Sequence, residues 1–377
     1  MEDSRKKYFT KHVGEYPGEF EFMGRRYVKV EDLRYGTNPN QTAAYYRPAD
    51  AEWLVLGNCQ MLKSGKSGLS ETNLEDMHHG LGIVKYFDVP AVAVMKHLNP
   101  SGAAVQVGVD ATRKETLKQV YIKARDGDPV AAFGSVVAFN RPIDLDSADE
   151  IMSTVVEGVV APGYAEGVLE RFNDTSKYGK NKDIRIIKVN NLDKLPRFAG
   201  DPHAGEHKDV KVLLDGSMVL ADPYLSSIRS VDDFKPAYAD HPKKGKISVK
   251  RMPTRQEAID LLFTWYVNFN VRSNGVVIGK NGVVMAAGTG QQDRVSAVRQ
   301  AIAKVREKYV GHETLAGAVL ASDAFFPAVD SIEECVKAGI SAIVQPGGSV
   351  MDYECVELCN EHNIAMVFTG ERCFSHH

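Results

Sequence analysis

No apolar run among the 377 residues approaches the roughly 20 needed for a membrane-spanning helix. The charged opening, Met1 to Lys11, lacks the hydrophobic centre of a secretory leader. The expectation is a soluble, cytoplasmic chain. Cysteine is scarce and odd in number, five in all at Cys59, Cys335, Cys355, Cys359 and Cys373; this suits a reducing compartment better than a disulfide framework. An excess of one charge is also missing. A formal net charge of -3 argues against wrapping a polyanion while allowing a local basic pocket, so neither nucleic acid nor membrane is expected as a partner. What the chain does have is length and 44% hydrophobic residues, enough to bury about two domain cores.

From Ala91 onward, short β-branched runs alternate with longer amphipathic stretches. The runs 91–95 and 134–139 read as buried strands, and the stretches 110–127 and 146–162 as helices covering them. The segment 173–210 is rich in Lys, Asp, Asn and Gly, apart from a strand-like Ile184 to Val189, and marks the inter-domain region. The expected domains are 1–209 and 210–377. In the second, a strand pair falls near 210–220, and Thr254 with Glu257 three residues on signals a helix start. Asn281-Gly282 joins two apolar strands in a tight hairpin. Helices at 293–308, 331–338 and 352–362 then alternate with strands at 317–321, 342–344 and 364–368. Strand and helix alternate in both halves, which suggests two related α/β units, although no direct sequence repeat is evident.

Five stretches could carry chemistry. Lys96-His97 ends the strongest strand pattern of the first half, where open α/β sheets place ligands, and pairs a cation with a side chain able to act as a base near neutrality; the bland alternative, at even odds, is a histidine satisfying a buried backbone group. Gly288-Thr289-Gly290 enters a helix carrying Arg294, so free N–H groups could hold an anion there, though a plain connection is the commoner meaning. Gln345-Pro346-Gly347-Gly348-Ser349 opens a close backbone approach, with Ser349 able to cap the next helix. Ser322-Asp323-Ala324-Phe325-Phe326-Pro327 puts two aromatics at a strand end. In Leu33 to Gln41, Arg34 could hold a phosphate on an otherwise solvated loop. No metal is expected. Cys355 and Cys359 sit four apart on one helix face, fit no familiar zinc spacing and read as small core residues. The zinc-deaminase signature, His-x-Glu with a later Pro-Cys-x-x-Cys, is absent.

In order, the words RYGTNPNQ, KHLNPSGAA, AAFGSVVAFNRPID, APGY, SNGVVI, GTGQQDR, SDAFFP, QPGGSV and RCFSHH run from Leu33 to the C-terminus. Together they resemble the transformylase portion of the bifunctional aminoimidazole carboxamide ribonucleotide (AICAR) transformylase/inosine monophosphate cyclohydrolase family. The resemblance implies two cytidine-deaminase-like α/β domains without the deaminase zinc and an active site formed across a homodimer. The implied reaction takes a formyl group from 10-formyltetrahydrofolate to the amine of AICAR. It further implies a stand-alone transformylase with no cyclohydrolase activity, that step falling to a separate polypeptide.

By matching positions, the resemblance makes His97 the proton acceptor, Lys96 the transition-state stabiliser, and Asn274 the residue holding histidine and substrate in register. Arg34, Tyr35 and Arg372 would hold the nucleotide, with Gly134, Glu157, Arg294, Phe325 and His376 completing its pocket. Val295, Asp330, Ser349 and Val350 would border the folate, and His377 stands as an extra histidine. Two other readings compete. A nucleotide- and folate-binding regulatory protein without catalysis would show damage at Lys96, His97 or Asn274, and none is seen. A formyltransferase with another donor could keep the same pair, but the chain has no Walker pattern for an ATP-driven version.

Overall fold

The apolar runs are strands and most of the amphipathic stretches are helices in a computed structural model that describes residues 10–108, 114–308 and 314–376. The chain divides into two units, Met1–Asp193 and Lys194–His377. The stretch 194–209, expected to close the first domain, goes with the second: Phe198 bridges to Ser226, Ala199 N–H donates to the Ser226 carbonyl, and Arg229 bonds the Ala199 carbonyl and Asp201.

The first unit opens with a small antiparallel sheet of β1 (Glu19–Phe22), β2 (Arg25–Asp32) and β3 (Ala44–Pro48). Its main elements are β4 (Gln60–Lys63), α1 (Glu71–Val84), β5 (Ala91–Lys96), β6 (Asn99–Val105), α2 (Leu117–Asp126), β7 (Ser135–Phe139), α3 (Leu145–Met152), β8 (Val156–Ala161), α4 (Val168–Asn173) and β9 (Arg185–Lys188). The sheet runs β6-β5-β7-β8-β9-β4. β7, β8 and β9 are parallel, and the β5/β6, β5/β7 and β4/β9 pairs are antiparallel. The expected helix at 146–162 is instead the short α3 followed by β8. Ser153 and Thr154 end the helix with local side-chain bonds to carbonyls, and the Val-rich 156–161 then favours a buried strand. Of the helix expected at 110–127, residues 110–113 lie outside the described residues; Lys114 instead bridges Gly108, and α2 starts only at Leu117, where Thr116 supplies the cap.

The second unit carries an exposed hairpin of β10 (Asp209–Val212) and β11 (Met218–Ala221), then β12 (Lys235–Pro236), and a second hairpin of β13 (Tyr238–His241) and β14 (Gly245–Ser248). After these come α5 (Arg255–Asn268), β15 (Val276–Lys280), β16 (Val283–Gly288), α6 (Arg294–Lys308), β17 (Val319–Ser322), α7 (Asp330–Ala338), β18 (Ala342–Gln345), α8 (Asp352–Glu361) and β19 (Ala365–Phe368). Thr254 and Glu257 form the expected reciprocal cap on α5, and Asn281-Gly282, both at positive φ, make the expected hairpin. This sheet runs β16-β15-β17-β18-β19-β12, with the same pattern of parallel and antiparallel pairs as the first unit.

The two units therefore share one plan: edge strand, helix, hairpin, then three helix–strand repeats. Even a packing detail recurs. A Cβ added at Gly102 would lie 2.0 Å from the Ala124 carbonyl oxygen, and one at Gly288 would lie 2.0 Å from that of Ala297. In each unit the second hairpin strand touches the backbone of the following helix, and a larger residue would force them apart. Cys335, Cys355 and Cys359 are buried in the apolar core of the second unit, as small core residues. No helix among the described residues is long and apolar enough to cross a membrane.

Candidate functional site

At the end of β5 and the start of β8 the first unit gathers a polar cluster. Helix α1 begins at Ser70, whose hydroxyl accepts the Asn73 N–H while the Asn73 side chain accepts the Ser70 N–H. The same Asn73 amide accepts from buried Arg34 Nη2 at 3.4 Å and donates to Glu157 Oε2 at 3.1 Å. Arg34 also donates to the Tyr35 hydroxyl at 3.1 Å, while its buried Nε has no protein partner. Arg185, nearly fully buried, is anchored by the carbonyls of Gly68 and Lys66 and lies 4.0 Å from Glu157. Burial, followed by the neighbouring Arg34 charge, lowers its pKa. Two buried guanidiniums thus share a corner with one half-exposed carboxylate, an arrangement that favours an added anion.

Lys96 joins this corner by donating from Nζ to the Gly134 carbonyl at 2.6 Å. Gly134 has φ of 69°, and a Cβ there would lie 3.0 Å from Lys96 Nζ and 4.0 Å from Glu157 Oε1. Strand β5 ends at Lys96, and His97-Leu98 form the two-residue connection to β6, with φ of 52° and 66°. Positive φ at both positions is the twist a tight hairpin wants, but Asn and Gly normally supply it. For His and Leu it costs ~1–2 kcal/mol per residue. The result is an exposed imidazole at the tip of a hairpin whose preceding lysine is fixed.

A second cluster stands at the strand ends of the second unit. Arg294, 5% exposed, donates from Nη2 to Asn274 Oδ1 at 2.6 Å and from Nη1 to the Gly275 carbonyl at 3.1 Å, and pairs with fully buried Asp323. Asp323 also accepts from the Gly275 N–H at 2.7 Å and from the Ser273 hydroxyl. The Asn274 side chain donates to the Gln291 carbonyl at 2.8 Å, so both ends of its amide are committed. The Ser273-Asn274 peptide bond is cis. Nearby, Phe374 lies under two guanidiniums, with its ring centre 4.6 Å from that of Arg372 and 6.0 Å from that of Arg294. His376 meets the same ring edge-on at 5.7 Å.

Several readings from local sequence change here. The Gly288–Gly290 turn offers fewer free donors than expected: Thr289 N–H binds Gln300 at 2.7 Å, Gly290 N–H binds the Arg272 carbonyl at 2.9 Å, and Arg294 is turned toward Asn274 and Asp323. Ser349 does not cap α8, since the N-cap position is Met351. The Ser349 hydroxyl accepts from Met351 N–H, and Asp352 reaches back to the Gly348 and Ser349 N–H groups. Burial raises the Asp352 pKa against those two donors. Of the paired aromatics, Phe325 is exposed and Phe326 is core. Val295 lies on the first turn of α6 beside Arg294, and Asp330 begins α7 by accepting the Ser331 N–H. Val350 is solvent-exposed in the loop after β18, and His377 lies outside the described residues.

Local sequence missed Asn73, Asp76 and Arg185 altogether and left Asp323 without a role. Ser70-x-x-Asn73 is itself a helix-start signal, and Asp76, three residues on, falls on the same helical face.

Fold and site define a class: an α/β protein of two like-built units, each with a buried arginine, a carboxylate and an amide linked at the ends of its strands. The AICARFT/IMPCHase bienzyme family matches over residues 3–304, and the chain belongs to that family. It is 37% identical over 371 residues to the bifunctional purine biosynthesis protein PurH of Acetivibrio thermocellus, covering 97% of this chain and 64% of that protein. The PurH proteins of Clostridium perfringens (37% over 362 residues) and Magnetococcus marinus (38% over 367) each align with 96% of the chain. The chain spans 61% and 62% of those two relatives' lengths.

Proposed function

We propose that the protein is a formyltransferase of purine biosynthesis, moving the formyl group of 10-formyltetrahydrofolate to the 5-amino group of AICAR. The observation that carries this reading is the hairpin in which a fixed lysine precedes an exposed histidine, beside a corner rich in guanidinium groups. The AICAR amine is a weak nucleophile because its lone pair is delocalised, so transfer needs a base and a stabilised oxyanion. A C–N bond forms to the amine, the C–N bond to the folate nitrogen breaks, and one proton passes from the amine to the departing nitrogen. His97 carries that proton, Lys96 faces the developing oxyanion, and Asn274 holds the register.

Arg34, Tyr35 and the exposed Arg372 hold the nucleotide with its phosphate. Gly134, Glu157, Arg294, Phe325 and His376 complete that pocket, and Val295, Asp330, Ser349 and Val350 border the folate. Each unit is cytidine-deaminase-like, a reading supported by their common strand order, and the protein works as a homodimer. The test is spectroscopic release of tetrahydrofolate with AICAR supplied. Lys96→Ala and His97→Ala should each lose ~100-fold or more in kcat while keeping nucleotide affinity, and full activity in His97→Ala removes the mechanism. An assay of ring closure on the same preparation checks the expectation of a single activity.

A further inference from the structure

Helix α1 places Asp76 directly behind the hairpin turn. Its carboxylate is 5% exposed, and its Oδ1 accepts the Leu98 N–H at 2.7 Å, the amide that follows His97. The like-built second unit shows what this bond does. Asp260 stands at the sixth position of the 14-residue α5, as Asp76 does in the 14-residue α1. Its two oxygens accept the N–H groups of Asn281 and Gly282 at 2.9 and 2.8 Å. One device is present twice: a buried helix aspartate clamps the turn of the neighbouring hairpin.

The two turns differ in what they ask of it. Asn281-Gly282 adopt positive φ readily, whereas His97-Leu98 adopt it at a cost, so the clamp has more to hold in the first unit. Burial raises the Asp76 pKa to about 6, against the pull of the Leu98 N–H and the Lys96 charge. Resting on the formyltransferase reading above, we infer that Asp76 is the positioning residue of the Lys96-His97 pair. Its carboxylate holds the left-handed turn in place and so fixes where the imidazole stands relative to the lysine.

Three variants of the full chain separate geometry from charge. Asp76→Ala removes the acceptor, Asp76→Asn keeps an acceptor in place without the charge, and Asp76→Glu keeps the charge but moves the acceptor. Asp76→Ala should lose ~100-fold in kcat with KM for AICAR changed less than about threefold, since a displacement near 1 Å is enough for such a loss. Asp76→Asn should recover to within about fivefold of the unaltered protein, and Asp76→Glu should remain the more impaired of the two. Asp260→Asn, altered at the matching clamp, should keep kcat.

Amide hydrogen exchange gives a readout without substrate. Leu98 N–H should exchange at least ~10-fold faster in the Ala and Glu variants than in the Asn variant. If Asp76→Ala does not fold, the order of Asn and Glu decides. Asn more impaired than Glu, or unchanged Leu98 exchange in the Glu variant, overturns the inference. Absence of formyl transfer in the unaltered protein would sink the function proposed above, and the exchange data would still decide whether Asp76 holds the turn.

Discussion

Replacing Asp323 with alanine should cost the second unit about 3–5 kcal/mol, because it leaves a buried guanidinium uncompensated. Arg294 is 5% exposed and Asp323 fully buried, so water cannot take the place of the lost carboxylate. Of its hydrogen-bond acceptors the guanidinium would keep the Gly275 carbonyl and the Asn274 amide, its Nε already having no protein partner. The Gly275 N–H and the Ser273 hydroxyl lose their acceptor in the same step. For a unit spanning Lys194–His377, the unfolding entropy is near 0.4 kcal/mol/K, so Tm should fall by about 8–12 °C in the transition of that unit. Calorimetry on the unaltered protein, Asp323→Ala, Asp323→Asn and the Asp323→Ala/Arg294→Met double variant measures it. The Asn variant should fall between, and the double variant should be less damaged than the sum of its parts. A loss under about 1 kcal/mol in Asp323→Ala, or strict additivity in the double variant, would refute the claim that this pair is held by mutual compensation.

Two further outcomes follow from single positions. Gly134→Ala puts a side chain at φ of 69°, 3.0 Å from Lys96 Nζ; it should cost ~1–2 kcal/mol and slow formyl transfer by displacing the lysine, so unchanged kcat would show that the Lys96–Gly134 bond is irrelevant to the chemistry. Burial pushes the Glu257 carboxyl up, but hydrogen bonds from Arg251 and the Thr254 N–H outweigh it and hold the pKa at about 2. A folded pKa below the unfolded one stabilises above pH ~4.5, and that stability is lost as pH falls toward 2. Because Glu257 is partly solvated, Glu257→Ala should cost only about 1–2 kcal/mol at pH 7 and flatten the acid limb of stability, as equilibrium unfolding at pH 7, 4 and 3 would show.

Regular elements with strong local signals are legible in the chain itself. The Val-rich runs, the Thr254 cap and the Asn-Gly turn each declare themselves within a few residues. What fails is any reading that depends on where a donor points. The glycines at 288–290 look like an anion cradle until Gln300 and the Arg272 carbonyl, both outside the motif, take up the N–H groups. Arg294 looks free until Asp323, 29 residues later, is placed against it. The gathering of Arg34, Asn73, Glu157 and Arg185 crosses from an N-terminal loop to the last strand of the unit, a span no periodicity encodes. The kinship of the two units is legible in the alternation of strand and helix in both halves, but their common strand order is not, because strand order constrains burial pattern and turn position rather than residue identity.

That shared plan gives the turn at His97 its meaning. Two units with one topology, one helix length and one clamping aspartate impose the same demand on the hairpin: two residues at positive φ. In the second unit the demand is met by Asn281-Gly282, the pair local energetics favour. In the first, residues that resist this conformation stand in its place, and the cost persists only because the surrounding structure over-determines it. A scaffold free to relax would lose His97-Leu98 to Asn-Gly or lengthen the loop. Keeping them ties the imidazole to the end of a rigid strand, one residue from an anchored ammonium, at a separation that a longer and more flexible loop would not maintain.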